Sequence, residues 1–372
     1  MLIVPIALHT WPCRRFAFTA FMAVCIGMNF AAGAGEYGLA LTSMQYGPYD
    51  DPEDCPQGLA LTPEETFLRS LSPEKRKEFE DRDKRVGSLA TFVSRVVSNR
   101  RGPDGQDLCD APTSVKDPPM PIGQGRRMYG FDLDAGNAAN ARPHQEFFGP
   151  DGQPGIDNQV ARLMACVKGV RKSDNRKNQN MDAGIQNGSA ITLIRVSDVD
   201  DMDNDADVTV EFFKSADKFI KDGNGAALPD ATLRADRNAP TFHAVTRGKI
   251  VNGELTTEPV DARFMQNPAD ILIRGARLRI ALKSDGHAEG VLGGYYDVAS
   301  FWDSWSREAG QQQQIGFSCP ALYQGLHSLA DGHFDAATGQ YTAISSAFKV
   351  RAVRTFVVPA QSKERFTGDL TN

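Results

Sequence analysis

FFGPDGQPGIDNQVARLMACV, residues 147–167, is the stretch at which this chain changes character. It joins a Gly/Pro/Asp loop to a short amphipathic segment that ends in a cysteine. Ile156, Val160, Leu163 or Met164, and Val167 recur at helical spacing, so the second half reads as a helix with one buried face. Asp157 or Asn158 is placed to cap its first turn. Upstream the sequence is rich in loops and helix signals. Downstream it becomes a long series of strand-like segments.

The loop half has two readings. Asp151, Gln153 and Asp157 fall within seven residues, with Gly152 and Gly155 between them. Glycines let a short loop curl until carboxylates and carbonyls converge, and such a set of hard oxygens suits Ca2+. The same residues also make an ordinary tight turn leading into a capped helix. The spacing is not that of an EF-hand.

Downstream, strands are predicted over 191–196, 208–213, 231–235, 241–247, 249–251, 253–257, 260–264, 271–282, 289–296 and 341–358. Turn residues separate them at short intervals, and Asn252-Gly253 is a hairpin signal. Many short strands at this spacing predict an antiparallel β-sandwich or jelly roll. One late helix is expected over 320–329. The polar, Asn-rich stretch 168–188 reads as a loop.

Upstream, residues 36–61 carry Gly, Pro, Tyr and Asp and read as irregular. Thr62-Pro63-Glu64-Glu65 and Ser72-Pro73-Glu74 are helix starts, with Pro at the first helical position. The second helix becomes apolar from Leu89 to Val97. Residues 102–127 read as a long connection containing Cys109. Met128–Asp134 alternates apolar and polar residues like a strand. Asp132 and Asp134 would share one face of it, close to Asp151 if the intervening loop folds back. The expected organisation is therefore mainly β with a helical N-terminal region. It divides into residues 1–34, a helical and loop-rich 35–127, and a sandwich-like 128–372.

Residues 1–34 have the form of a secretory signal peptide. Arg14 and Arg15 close a basic segment, Phe16–Phe30 is a 15-residue apolar run, and Ala32-Gly33-Ala34 supplies small residues for cleavage. A lipoprotein site at Cys25 is the weaker option because Val24 is large. No later segment has the length and apolarity of a membrane-spanning helix. Removing Arg14 and Arg15 leaves 39 Lys+Arg against 47 Asp+Glu, a net charge of −8. That balance argues against a nucleic-acid partner. Export places the protein in a periplasmic or extracellular setting. There, Cys55, Cys109, Cys166 and Cys319 are expected to form two disulfides. The pairing Cys55–Cys109 with Cys166–Cys319 is preferred, because it keeps each half of the chain self-contained.

Three further clusters invite chemistry. Between residues 198 and 207 lie Asp198, Asp200, Asp201, Asp203, Asp205 and Asp207. Their mutual repulsion would be relieved by a divalent cation, or by solvation at a hairpin tip. Asp331-Gly332-His333-Phe334-Asp335 is a smaller acidic turn. Tyr295, Tyr296, Trp302 and Trp305, with Asp297 and Asp303 nearby, would suit stacking of a carbohydrate. The spacing of Phe301, Trp302 and Trp305 equally suits the core face of a helix. The histidines are scattered, and His144 with Glu146 reads as a surface pair. No zinc, nucleotide or serine-hydrolase motif is present.

FFGPDGQPGIDNQ, VLGGYYD and SCPALYQGLHSLADG together resemble a group of uncharacterised exported bacterial proteins. That resemblance implies secretion and no particular activity. An acidic loop on a β-sandwich is also similar, in general terms, to calcium-dependent lectin-like modules. The function expected is an exported, disulfide-stabilised, calcium-binding module, associated with carbohydrate or an envelope protein. The alternative is a secreted polysaccharide hydrolase using Asp/Glu acid–base groups.

Overall fold

The strand series is laid down largely where alternation and turn residues place it. In the computed structural model, which describes residues 35–47, 54–86, 102–134, 141–144, 146–266, 269–307 and 312–359, the strands are β1 (Gly35–Tyr46), β2 (Thr192–Val199), β3 (Asn204–Lys214), β4 (Ala231–Arg234), β5 (Ala244–Val251), β6 (Glu254–Thr257), β7 (Val260–Met265), β8 (Asp270–Leu282), β9 (His287–Asp297), β10 (Gly332–Asp335) and β11 (Gln340–Val358). Asn252 and Gly253 both take positive φ, 51° and 72°, as a two-residue hairpin turn between β5 and β6 requires. The predicted signal peptide, Cys25 and the apolar run 89–97 lie outside the described residues.

The arrangement of these strands corrects the expected sandwich. Eight antiparallel strands run β1-β2-β3-β5-β6-β8-β9-β11, and β11 returns to pair with β1, closing a barrel. The closing pair spans Leu39–Tyr46 against 348–354. β7 continues along β8 beyond β6, and β10 pairs with the first residues of β11. Closure leaves no long sheet edge open to water, whereas a sandwich keeps four. The described residues are mainly strand, with fewer in helix.

The core is the barrel interior. Cross-strand partners Tyr46, Phe348, Leu292 and Leu278 are buried, as are Leu39, Ile194 and Phe212, and Ile250, Leu255 and Ile280. The helix Val298–Ser306, capped by Asp297 on Ser300 N–H, packs Phe301 and Trp305 against this core. The Trp305 indole N–H donates to the Tyr46 hydroxyl at 3.2 Å, and Lys177 Nζ lies 4.6 Å from the ring centre.

Three other expectations are corrected. The N-terminal region is not a helical unit. The helices Pro63–Ser70, with its Thr62–Glu65 capping box, and Pro73–Val86 form as expected, but 35–46 is a barrel strand. The stretch 168–188 is not a loop: a 3-10 turn, Lys168–Val170, leads to the helix Arg176–Gln186. Its polar face has a definite task. β2 leaves β1 after Ala40, so the backbone of 42–46 lacks a strand on that side. Asn178, Asp182 and Gln186, four residues apart, take its place. Asn178 accepts from Tyr46 N–H and donates to its carbonyl, Asp182 accepts from Met44 N–H, and Gln186 donates to the Thr42 carbonyl. Finally, 128–134 is not a strand: Phe131 makes an isolated bridge to Asp157, and Arg127, just before it, bridges Phe148.

The disulfides are Cys55–Cys166 and Cys109–Cys319, not the self-contained pairs. The early loops touch each other, with the Gln124 N–H donating to the Asp54 carbonyl at 2.9 Å, but no disulfide joins them. They wrap onto the helices Gln159–Met164 and Cys319–Leu329, and the Ala60 N–H donates to the Cys166 carbonyl at 2.8 Å.

Candidate metal centre

On the outer face of β9 and β11, residues 128–134 and 156–159 lie across the barrel as a strap. The residues under it are small: Ala347 pairs with Gly293, and a Cβ on Gly293 would meet the Phe131 ring at 2.9 Å. Phe131, Leu133, Val291 and Ala347 form a separate apolar cluster there. Arg279 and Lys349 project from the barrel over the Phe131 and Tyr129 rings, at 5.4 and 4.9 Å. These contacts hold a polar strap to a sheet face.

The strap gathers three carboxylates. Asp132, Asp134 and Asp157 each present an oxygen, and all three oxygens lie within 4.8 Å of one another. Among the described residues this is the group of acidic, His or Cys side chains that converges in this way. Asp157 is 1% exposed and Asp134 6%. Asp157 Oδ2 accepts from the Leu133 and Asp134 amides at 2.6 and 3.3 Å. Its Oδ1 is buried without a hydrogen-bond partner. Asp134 Oδ2 accepts from the His144 amide at 3.0 Å, and the Asp132 carbonyl accepts from Arg277 at 2.9 Å.

Around this trio further polar side chains bond to one another. Asp331 fills the gap on the β11 edge between β10 and β1, accepting from Ser345 N–H at 2.7 Å and from its hydroxyl at 2.6 Å. Ser345 Oγ in turn accepts from the Gln159 amide. The His144 ring lies 2.9 Å from the Gln159 side-chain amide and 3.4 Å from both Asp331 and Glu146. Burial draws its basicity down, but Asp331 and Glu146 outweigh that, and the net shift is upward. Burial, reinforced by the charges of Asp134 and Asp331, pushes the Asp157 carboxyl up to about 7 against the opposing Leu133 N–H bond. Tyr295, directly opposite Ser345, is raised well above the ordinary phenol range by burial and then by Asp331, Asp157 and Asp134.

This donor set fits a hard cation. Ca2+–oxygen distances of about 2.4 Å put opposite ligands about 4.8 Å apart, so three oxygens within that span can share one ion. An ion would satisfy the orphaned Asp157 Oδ1 and neutralise charge that burial opposes. The all-oxygen set favours Ca2+ or Mg2+ over zinc, which prefers nitrogen and sulfur.

Of the acidic residues read in sequence as metal ligands, Asp157 belongs to this centre, joined by Asp132 and Asp134, which were read as sharing a strand face. Asp151 sits in an exposed turn, accepting from Gln153 N–H. In the β2–β3 hairpin, Asp201 accepts from Asp203 N–H, and Asp205 from the amides of Asp200 and Asp207. Asp198 accepts from Thr209, and Asp207 pairs with Arg247. Of the aromatic group, Tyr296 and Trp305 are fully buried in the barrel, while Trp302 packs edge-on against Tyr323 at 5.0 Å. Tyr295 alone of the four borders the acidic trio. His144, Gln159 and Ser345 carried no sequence signal for this site, and Asp331 was read only as part of a separate acidic turn, because these residues converge from segments nearly 200 residues apart. Comparison with family models, curated proteins and solved structures found no match for this chain.

Proposed function

We propose that this is an exported, disulfide-stabilised β-barrel binding protein whose outer strap is fastened by Ca2+ at Asp132, Asp134 and Asp157. The observation that carries the reading is the orphaned, fully buried Asp157 Oδ1 facing two further carboxylates. The ion would bind both arms of the strap, 131–134 and 156–159, to each other and so to the face of β9 and β11. Its role is structural, and the strap it orders is the surface offered to a carbohydrate or envelope-protein partner. Export is supported by the two disulfides and by the signal-like residues 1–34. No described helix is long and apolar enough to cross a membrane. For a polysaccharide hydrolase, Asp134 and Asp157 are too deeply covered for a glycosidic oxygen to reach them.

The test is thermal unfolding of the oxidised protein in EDTA and across a Ca2+ series, with Mg2+ as control. A Ca2+-dependent rise in Tm is expected in wild type. Asp132→Asn and Asp157→Asn should abolish it, and combined Asp201, Asp203 and Asp205→Asn changes should not. A rise that survives Asp157→Asn would overturn the assignment.

A further inference from the structure

The two disulfides have unequal surroundings. Cys109, Cys319 and Cys166 are 4%, 0% and 0% exposed, whereas Cys55 keeps part of its surface in solvent. Arg171 Nη1 lies 3.2 Å from Cys55 Sγ and donates from the same nitrogen to the Ala165 carbonyl at 2.8 Å. That second bond fixes the guanidinium against the disulfide. A cation in contact with a sulfur favours the thiolate over the thiol, and so favours the reduced form of the bond. Among the described residues no cation contact of this kind adjoins the other pair: Cys109 Sγ meets the neutral Gln312 amide at 3.0 Å.

We propose that Cys55 is a thiol-exchange site, at which an external dithiol opens the Cys55–Cys166 bond while Cys109–Cys319 stays closed. Attack falls on the accessible sulfur. One thiolate of the dithiol bonds to Cys55 Sγ, the Cys55–Cys166 bond breaks, and its electron pair leaves on Cys166 Sγ, which takes up a proton. The second thiolate of the dithiol then attacks its own partner sulfur in the mixed disulfide. The dithiol departs as an internal disulfide, and Cys55 is released as a thiolate beside Arg171. Two electrons pass from the dithiol to the cysteine pair. A monothiol at low concentration would stop at the mixed disulfide on Cys55. Opening the bond frees the 54–60 loop from the end of the Gln159–Met164 helix, leaving the Ala60–Cys166 backbone hydrogen bond as a tether.

The experiment treats the oxidised full chain with graded dithiothreitol, quenches with iodoacetamide, and quantifies each cysteine by peptide mass spectrometry. Near-UV circular dichroism at each step ensures that the barrel is folded. Cys55 and Cys166 should become labelled at about tenfold less dithiothreitol than Cys109 and Cys319. Glutathione should add to Cys55 and not to Cys166. Arg171→Gln should narrow the difference between the two pairs several-fold, and Arg171→Lys should retain most of it. Opening of both pairs together, opening of Cys109–Cys319 first, or a glutathione adduct on Cys166 would overturn the proposal. Those outcomes are read from wild type, whatever the folding of the variants.

Discussion

Replacing Asp157 by asparagine should stabilise the metal-free protein at neutral and alkaline pH, although it removes a buried carboxylate with good hydrogen bonds. Asparagine keeps an oxygen for the Leu133 and Asp134 amides. Its amide can donate toward the neighbouring carboxylates. The carboxyl of Asp157 rises from 3.8 to about 7 on folding. A shift of about 3 units corresponds to about 4 kcal/mol. The folded state holds this proton more tightly than the unfolded chain. The contribution is therefore complete below about pH 4 and is lost as pH rises through about 7. In EDTA, wild type should lose roughly 4 kcal/mol between pH 4 and pH 8 through this group, about 6 °C in Tm for a chain of this length. Asp157→Asn should lack that component and be the more stable protein at pH 8. Ca2+ should close this gap: wild type gains about 2.7 kcal/mol at a hundredfold excess over Kd and about 4.1 kcal/mol at a thousandfold excess, and the variant gains nothing. The assay is urea unfolding at pH 5, 6, 7 and 8, with EDTA or Ca2+. A variant that is less stable than wild type at pH 8 in EDTA, or that keeps the full wild-type slope, would refute the reasoning.

Trp305→Ala should cost about 3–5 kcal/mol in urea unfolding, because the ring is fully buried against Phe301, Phe317 and Tyr46. Asn178→Ala should cost about 1–3 kcal/mol, since it removes the bonds Asn178 makes to the Tyr46 amide and carbonyl; hydrogen exchange should show faster opening at 42–46. Removing the Cys109–Cys319 bond by paired serine substitution should cost about 5 kcal/mol in the chain-entropy account, its loop spanning 210 residues. Gly332→Ala should disturb Tyr295, whose ring lies 2.2 Å from where that Cβ would stand; a change in Tyr295 near-UV signal with Ca2+ bound is the readout.

The β-rich class, most strand positions, the two proline-led helices and the Asn158-capped helix follow from local pattern. Alternation, caps and turn residues act over a few neighbours, and a single sequence displays them directly. Closure into a barrel does not follow from them. It depends on β1 meeting β11 some 300 residues later, and GEYGLALTSMQY looks irregular because it is buried on both faces over much of its length. The Arg176–Gln186 helix was hidden for a related reason. Its Asn, Asp and Gln face the edge of β1 instead of water, so polarity signified a backbone partner and not a loop. The disulfide pairing was equally beyond reach, since loops choose partners by proximity in space.

The acidic centre divides the same way. Its donor types were visible: Asp157 stood out in a glycine-rich loop, and Asp132 and Asp134 on one face of an expected strand. Which of the many aspartates converge was decided by the strap lying down on β9 and β11. That contact buried Asp157, while the denser run at 198–207 remained at the tip of a hairpin, with its carboxylates bonded locally. Charge density along the chain is a sequence property. The desolvation that makes a carboxylate hold a cation or a proton arises only when distant segments exclude water from it.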